Sequence, residues 1–293
     1  MINFIVNIKS GRGNGEKALK TCVDICAKNG INFSVNITQH PGHAAEYARQ
    51  ISAKGGDTIA AIGGDGTFHE VLNGVDTEKT AVGFIPAGRG NDFARAAKLK
   101  LDTKGAFEDI LRGEKKYIDY IQIGEKRCLN VAGTGMDVDV LQAVYGKKSA
   151  LTYYTSLIAC ILKFKPYDVR IKIEDKAIEK SCIMVGVCNG TSFGGGITLS
   201  PHSKIDDGKL DILIMEKKER SLLKILPKFK KGKHMDFPET NHIVCDEIEI
   251  INYGPSGEES AARPPIELDG EIYTDLPFNC KVIKSGLTTF TTK

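Results

Sequence analysis

The sequence predicts two domains: an α/β domain with a parallel sheet and helices on both faces, then a β-rich, antiparallel, sandwich-like domain. At 293 residues the chain exceeds what one ordinary core accommodates. Strand-like and helix-like segments alternate through the first third, which is typical of a parallel sheet. After residue 124 short strand-like segments follow one another with few helices between them. We therefore place the first domain at residues 1–124 and the second at 125–280.

The elements of the first domain are read from apolar runs bounded by glycine. In parallel sheets the loops that leave the carboxyl ends of strands line the ligand crevice. Three such loops, at 10–15, 63–67 and 86–92, are rich in glycine, so we expect them to converge on one site. The predicted strands are 4–8, 33–37, 59–62 and 82–85. The predicted helices are 16–28, a helix that follows the turn at 38–42 and ends near 54, 68–73, and a segment that begins at 93.

Composition narrows the class of protein. A formal net charge of +3 with 26% charged residues argues against a nucleic-acid binder. No apolar run reaches 18 residues, and the amino terminus lacks the features of a signal peptide, so we expect a cytoplasmic protein. The eight cysteines are scattered and form no C-x-x-C pair, which indicates reduced thiols packed in cores.

The segment 63–67, Gly-Gly-Asp-Gly-Thr, is the first candidate for chemistry. Its glycines allow positive φ angles and close approach to a ligand. Thr67 and Glu70 have the spacing of a capping box, and a helix start is a ready anion site. Asp65 would repel a phosphate unless a cation or hydroxyl lay between them, which favours phosphoryl transfer. An ordinary strand-to-helix turn is the alternative.

The loop at 10–15 fits neither common phosphate-binding pattern. It lacks the G-x-x-x-x-G-K-[ST] spacing of a P-loop and the G-x-G-x-x-G of dinucleotide-binding proteins. A standard P-loop kinase and a dinucleotide-dependent dehydrogenase are therefore disfavoured.

The second domain contains two helical segments and one basic segment. The helix at 136–146 is expected near the cleft between the domains, and the apolar helix at 150–164 is either buried or part of an acyl-chain pocket. The segment 217–233 carries eight lysines and arginines around leucines and isoleucine. It predicts either a solvated helix face or contact with an anionic membrane surface.

Two acidic turns lie in the second domain, at 206–211 and 268–271. An Asp-Gly pair is a common hairpin signal. Carboxylates at such turns also hold hard cations, or accept a proton from a substrate hydroxyl during phosphoryl transfer.

Together these motifs resemble the soluble bacterial diacylglycerol kinase family of lipid kinases, whose catalytic module is similar to those of eukaryotic diacylglycerol and sphingosine kinases. The resemblance runs nearly end to end. The first motif is shared with NAD kinases, whereas the Asn91–Arg95 run and the late Asp-Gly-Glu are more specific. The motifs, in order, are Gly63–Thr67, Pro86–Arg95, Ser192–Gly196, Asp206–Gly208 and Leu268–Glu271.

The resemblance implies that ATP binds in the cleft between the domains, where the active site lies, and that the tail at about 281–293 returns to the first domain. Arg89 stands where relatives usually have a small hydroxyl residue, and its long cation could meet a phosphate or crowd the nucleotide. The implied ATP-binding residues are Asn7, Ser10, Gly11, Thr38, Gly63, Gly64, Asp65, Gly66, Thr67, Arg89 and Asn91.

The resemblance also implies two magnesium sites and a catalytic base. Asp65 would help to organise the catalytic Mg²⁺, and Glu271, with Asp269 beside it, matches the position of the base. A second, structural Mg²⁺ would be held by the carboxylate of Asp207 and the backbone carbonyls of Lys204 and Lys209.

The expected function is ATP-dependent phosphorylation of a lipid hydroxyl, diacylglycerol to phosphatidic acid, by a cytoplasmic enzyme that visits the inner face of the membrane. One alternative is NAD kinase-like phosphorylation of a soluble substrate, which requires neither an apolar pocket nor a basic surface. Another is a non-catalytic lipid-binding regulator, against which the intact Asp65, Asp269 and Glu271 argue. The oligomeric state stays open, a homodimer included.

Overall fold

The computed structural model of the chain describes residues 1–55, 58–144, 166–216, 228, 232–253 and 265–291. The predicted apolar helix at 150–164 lies outside the described residues. So does the basic segment at 217–233, apart from residues 228, 232 and 233.

Helices and strands alternate up to residue 112, and strands dominate thereafter. The helices are α1 (Asn14–Lys28), α2 (His43–Ala53), α3 (Asp65–Gly74), α4 (Asp92–Ala96), α5 (Thr103–Arg112) and α6 (Met136–Val144). The strands are β1 (Ile2–Val6), β2 (Phe33–Ile37), β3 (Thr58–Gly63), β4 (Ala81–Pro86), β5 (Lys115–Ile123), β6 (Lys126–Cys128), β7 (Val131–Gly135), β8 (Tyr167–Ile173), β9 (Lys176–Cys188), β10 (Ser192–Phe193), β11 (Ile197–Thr198), β12 (Leu210–Glu216), β13 (Thr240–Cys245), β14 (Glu247–Tyr253), β15 (Ile266–Leu268), β16 (Glu271–Tyr273) and β17 (Phe278–Phe290).

The first four strands form a parallel sheet in the order β2-β1-β3-β4. Successive side chains of a strand point to opposite faces. On one face Phe4 is buried with Cys22 of α1 and Phe107 of α5, and on the other Ile5 is buried with Phe68 of α3. Helices therefore cover both faces, and the predicted α/β fold is confirmed.

Most of the later strands form an eleven-stranded antiparallel sheet. Its main path is β16-β15-β7-β9-β8-β14-β17-β5-β6, and β12 and β13 extend it from β9. Val185, Ile212 and Leu268 are completely buried in its core. The predicted β-rich antiparallel fold of the second part is likewise confirmed.

The two sheets meet along β4, β5 and β17. β5 precedes residue 124, yet it pairs with β17 in the large sheet. Within β17, the hydroxyl of Thr289 donates a 2.8 Å hydrogen bond to the carbonyl of Val82 in β4, and Phe290 is buried in the same cluster as Ile85. The C-terminal strand thus packs against the parallel sheet.

Two further expectations concern membrane spans and thiols. No helix in the described ranges is long and apolar enough to cross a bilayer. All seven cysteines in those ranges are buried and unpaired, and burial raises the pKa of the Cys22 thiol to about 12. These seven thiols are therefore packed in cores, as their scattered spacing predicts.

Candidate active site

The loops after β1, β3 and β4 lie against one another at the carboxyl edge of the parallel sheet. Gly11 has a φ of 58°, and a Cβ on it would overlap the carbonyl oxygen of Ala87. A Cβ on Gly88 would lie 2.5 Å from the Cα of Gly64. A Cβ on Gly11 or Gly88 would collide with the backbone of the neighbouring loop, so glycine is required at these two positions.

The residues from the first two strands lie beside these loops. The Nδ2 of Asn7 is 3.5 Å from the Oγ1 of Thr67, and Ser10 begins a short 3₁₀ turn that leads into α1. Thr38 follows β2, and its hydroxyl donates to the carbonyl of Val6 at 3.3 Å. All four side chains therefore sit at the edge where strands β1, β2 and β3 end.

Helix α3 begins at Asp65, three residues earlier than the sequence predicts, with Gly64 as its N-cap. The predicted capping box is wrong, because the Glu70 carboxylate accepts a hydrogen bond from the Ala44 N–H and so caps α2 instead. The expected positive φ angles are also absent from Gly63, Gly64 and Gly66. Close approach explains these glycines, since a Cβ on Gly63 would lie 2.5 Å from the Oγ1 of Thr67.

The carboxylate of Asp65 lies between α3 and the loop after β4. Its Oδ2 accepts a 2.7 Å hydrogen bond from the Asn91 N–H, and its Oδ1 accepts one of 3.3 Å from the Phe93 N–H. Burial raises the pKa of the Asp65 carboxyl, and the nearby Asp92 carboxylate raises it further. A cation near Asp65 would favour the ionised form of this carboxyl.

Asn91 shapes the loop that carries Arg89. It adopts a left-handed conformation with a φ of 53°, and its side chain bonds both the N–H and the carbonyl of Gly88, at 3.0 and 3.2 Å. This amide thus holds the loop after β4 in place. The Arg89 side chain is exposed, and no ion pair in the part of the chain that the structure describes involves it.

Asp92 of α4 is bonded to the turn between the short strands β10 and β11, and the sequence predicted no role for it. Its two carboxylate oxygens accept hydrogen bonds of 2.7 and 2.6 Å from the N–H groups of Gly195 and Gly196. Both glycines have positive φ angles. These glycines belong to the Ser192–Gly196 motif found in the sequence. Local sequence gives no signal that their partner is Asp92, 103 residues from Gly195.

Asp269 and Glu271 sit at the turn between β15 and β16, in different surroundings. The Asp269 side chain is 5% exposed and accepts hydrogen bonds of 2.8 Å from the N–H groups of both Leu129 and Asn130. Burial alone would raise the pKa of this carboxyl, but the hydrogen bond and charge of His69 and the two N–H groups lower it. Asp269 is therefore an anchored anion.

Glu271 is exposed and faces the start of α3. A Cβ on Gly66 would lie 3.2 Å from its Oε1. Desolvation by the surrounding cleft raises the pKa of the Glu271 carboxyl, which His69 partly offsets. The glycine motif of the parallel sheet and the acidic turn of the large sheet, which are far apart in sequence, are thus brought to one place.

His69 and Asn73 are two further residues that sequence reasoning missed. With Asp65 they occupy positions i, i+4 and i+8 of α3, which form one helix face. His69 contacts Asp269 and Tyr273. The Asn73 amide donates to the Arg127 carbonyl in β6 and accepts from the Arg127 N–H, each at 2.9 Å. The four-residue spacing was available in the sequence as a signal.

The loop before β12 contains the residues predicted to hold a structural cation. Asp207 is exposed, and its Oδ1 accepts a 3.0 Å hydrogen bond from the Lys209 N–H. The buried Asp119 holds this loop in place. Its carboxylate accepts 2.7 Å hydrogen bonds from the N–H groups of Gly208 and Ser285. A carboxylate and two carbonyls are oxygen ligands of the type that Mg²⁺ takes, so the residues fit the ion.

Comparison with known proteins covers nearly the whole chain. The diacylglycerol kinase catalytic domain family matches residues 1–123. The family described as the YegS C-terminal NAD kinase beta sandwich-like domain matches residues 130–291.

Relatives and solved structures extend this similarity. The chain is 26% identical to a diacylglycerol kinase of Staphylococcus saprophyticus over 98% of this chain and 94% of that one. It is 27% identical to a diacylglycerol kinase of Bacillus subtilis over 94% and 90%. The fold matches the crystal structure of a diacylglycerol kinase from Bacillus anthracis with a TM-score of 0.75 and 22% identity, over 99% and 96% of the two chains.

Proposed function

The chain belongs to the family of diacylglycerol kinase-like lipid kinases, and from that membership we propose that it transfers the γ-phosphate of ATP to a lipid hydroxyl. Diacylglycerol is the acceptor we favour, because two relatives of nearly full length carry that name. The observation that carries the proposal is the Glu271 carboxylate facing Gly66, where a Cβ would lie 3.2 Å away. The proposed general base and the proposed phosphate-binding loop thus lie beside each other.

Glu271, rather than Asp269, is the base in this proposal. The oxygens of Asp269 are occupied by Leu129 and Asn130 N–H groups and by His69, and its lowered pKa makes it a weaker proton acceptor. Glu271 is exposed and its pKa is raised, which suits a group that takes up a proton. As the lipid oxygen forms its bond to the γ-phosphorus and the bond to ADP breaks, the hydroxyl proton passes to Glu271.

The glycine loops position the triphosphate in this proposal. The free N–H groups at the start of α3, together with the helix dipole, attract negative charge. Because the loops at Gly11, Gly64 and Gly88 are in mutual contact, a phosphate chain can lie close to their backbones. Catalysis of this kind is mostly positioning and charge stabilisation.

Two magnesium ions belong to the proposal. Asp65 would hold the catalytic one, since each of its oxygens retains a lone pair beyond its single N–H partner. Asp207, Lys204 and Lys209 would hold the structural one. When bound with ATP, the catalytic ion supplies positive charge that offsets that of the triphosphate.

A lipid acceptor requires contact with a membrane surface. We assign that contact to the basic segment at 217–233, whose cations would attract anionic lipid by about 1 kcal/mol each near the surface. The protein would then act from the cytoplasm at the inner face of the membrane.

The decisive experiment measures transfer of labelled γ-phosphate from Mg-ATP into a total lipid extract, with organic and aqueous products separated. Label in the organic phase, in phosphatidic acid above other products, is the expected result. Glu271→Gln should abolish it, whereas Glu247→Gln, which changes an exposed acid of the large sheet, should not. Label only in aqueous products would indicate a soluble acceptor, and no label would contradict the proposal.

A further inference from the structure

His69 is a buried histidine that joins the two halves of the proposed site. It lies on α3, one turn after Asp65, and is 3% exposed. Its Nδ1 is 3.3 Å from the Asp269 carboxylate, and its Nε2 is 3.0 Å from the Tyr273 hydroxyl. These two partners stand two residues before and two residues after Glu271. The imidazole therefore holds the β15–β16 hairpin on both sides of Glu271, the proposed base.

The proton positions follow from the partners. An ionised carboxylate only accepts hydrogen bonds, so His69 Nδ1 carries the proton and donates to Asp269. The Tyr273 hydroxyl can donate or accept, so it bonds Nε2 in both the neutral and the protonated imidazole. The Asn73 Nδ2 lies 3.3 Å from Nε2, but its shorter hydrogen bonds, both of 2.9 Å, go to the His69 and Arg127 carbonyls. A proton on Nδ1 therefore satisfies both partners, with or without a second proton on Nε2.

The hairpin depends on this contact because β16 is an edge strand. In the described part of the chain β16 lies at the end of the sheet order and pairs with β15. The turn itself is anchored through Asp269, which takes N–H bonds from Leu129 and Asn130. The edge strand β16, which carries Glu271 and Tyr273, is held by the contact between Tyr273 and His69 of α3.

We propose that His69 is a positioning residue that sets the distance between the Glu271 carboxylate and the phosphate-binding start of α3. It does so by fixing Asp269 and Tyr273 at once. The proposal rests on the assignment of Glu271 as the base. Its physical basis is that a reacting group displaced by about 1 Å loses roughly 100-fold in rate.

The charges around Glu271 agree with this role. Desolvation raises the pKa of the Glu271 carboxyl, His69 lowers it and Glu70, on the same helix, raises it. From the hairpin, Asp269 and Tyr273 are the other ionisable groups that face this cluster. Without His69 the Glu271 carboxyl should therefore titrate at higher pH.

The test compares His69→Ala, His69→Gln and Tyr273→Phe in the lipid phosphorylation assay, with separate kcat and KM values for ATP and lipid. For His69→Ala we expect kcat to fall about 100-fold while KM for ATP changes little, and the acidic limb of the kcat profile should move to higher pH. His69→Gln should recover part of kcat because its amide can donate to Asp269. The kcat of Tyr273→Phe should lie between those of His69→Ala and the wild type.

A matched control exists in the same sheet. His242 forms a histidine–carboxylate pair of 2.6 Å with Asp211 between β13 and β12, outside the proposed site. His242→Ala should leave kcat and its pH profile as in the wild type. A His69→Ala variant with wild-type kcat would overturn the proposal. A fall in kcat that is accompanied by a lower melting temperature, and that His69→Gln does not rescue, would also overturn it.

A second measurement separates failure of this proposal from failure of the lipid kinase proposal. Amide hydrogen exchange at residues 271–273 should be faster in His69→Ala than in the wild type, whatever the substrate. If the wild type phosphorylates no lipid, the proposed function fails, and this exchange measurement still decides whether His69 holds the hairpin. Unchanged exchange at 271–273 would contradict the positioning role.

Discussion

Asp65 accepts a 2.7 Å hydrogen bond from the backbone N–H of Asn91, so the first acid of α3 also holds the loop that leads into α4. The residue proposed to hold a cation is therefore part of the scaffold of its own site. Because Asn91 in turn bonds Gly88, a change at Asp65 should reach the whole loop after β4.

Replacing Asp65 should separate these two roles. Asp65→Ala should abolish phosphate transfer and cost about 1–3 kcal/mol of unfolding free energy, because two backbone N–H groups lose their acceptor. Asp65→Asn keeps one acceptor oxygen, so it should be more stable than Asp65→Ala yet still about 100-fold slower than the wild type. Transfer assays and urea denaturation measure both effects. Asp76→Asn, two residues after the end of α3, is the control. Near-normal turnover in Asp65→Ala would refute the assignment.

Gly11 and Gly13 provide a matched pair for the glycine loop. Both have positive φ angles, 58° and 93°, so alanine costs about 1–2 kcal/mol of conformational strain at each. A Cβ on Gly11 would also overlap the Ala87 carbonyl, whereas one on Gly13 meets nothing within 4 Å. Gly11→Ala should therefore be the less stable variant and should bind ATP more weakly, as measured by denaturation and nucleotide titration. Equal effects of the two substitutions would contradict the loop contact.

Magnesium should stabilise the protein through Asp207 even without nucleotide. When free Mg²⁺ is about tenfold above its Kd, ligand linkage adds about 1.4 kcal/mol to the unfolding free energy. Thermal unfolding with and without Mg²⁺ should show this in the wild type and not in Asp207→Asn. The neighbouring acid Asp206 pairs with Lys116 at 2.8 Å, so Asp206→Asn should retain the response. The site assignment fails if Asp207→Asn responds like the wild type.

Asp137 should make stability depend on pH in an unusual direction. Burial raises the pKa of its carboxyl from 3.8 to about 7. Burial also raises the pKa of the Glu267 carboxyl. A folded-state pKa above the unfolded value means that the stability contribution is complete below about pH 4 and is lost as the pH rises to about 7. Asp137→Asn should therefore gain unfolding free energy relative to the wild type across this range. Denaturation at several pH values tests this, with the exposed Asp24→Asn as control; a constant difference would contradict it.

The pattern of strands and helices was predictable from the sequence because it depends on local periodicity. Alternating apolar runs and glycine loops predicted the parallel sheet, and closely spaced strand segments predicted the antiparallel one. Boundaries were less accurate where a glycine or an acid can belong to either a turn or a helix, as at Asp65. The capping box failed for a related reason, since Glu70 found a better partner on α2.

The sequence by itself determined the fold class, the family and the loops that line the site, because each is encoded in neighbouring residues and in the order of motifs. The tertiary structure alone decided which of two neighbouring carboxylates is held by backbone N–H groups and which is exposed. Asp269 and Glu271 are two residues apart, yet one is anchored by N–H groups some 140 positions earlier and the other faces Gly66. The roles of His69 and Asp92 were likewise decided by partners about 100 to 200 positions away. Hydrogen bonds between distant segments form only when sheets pack, so a local pattern such as the spacing of His69 on α3 does not identify the partner.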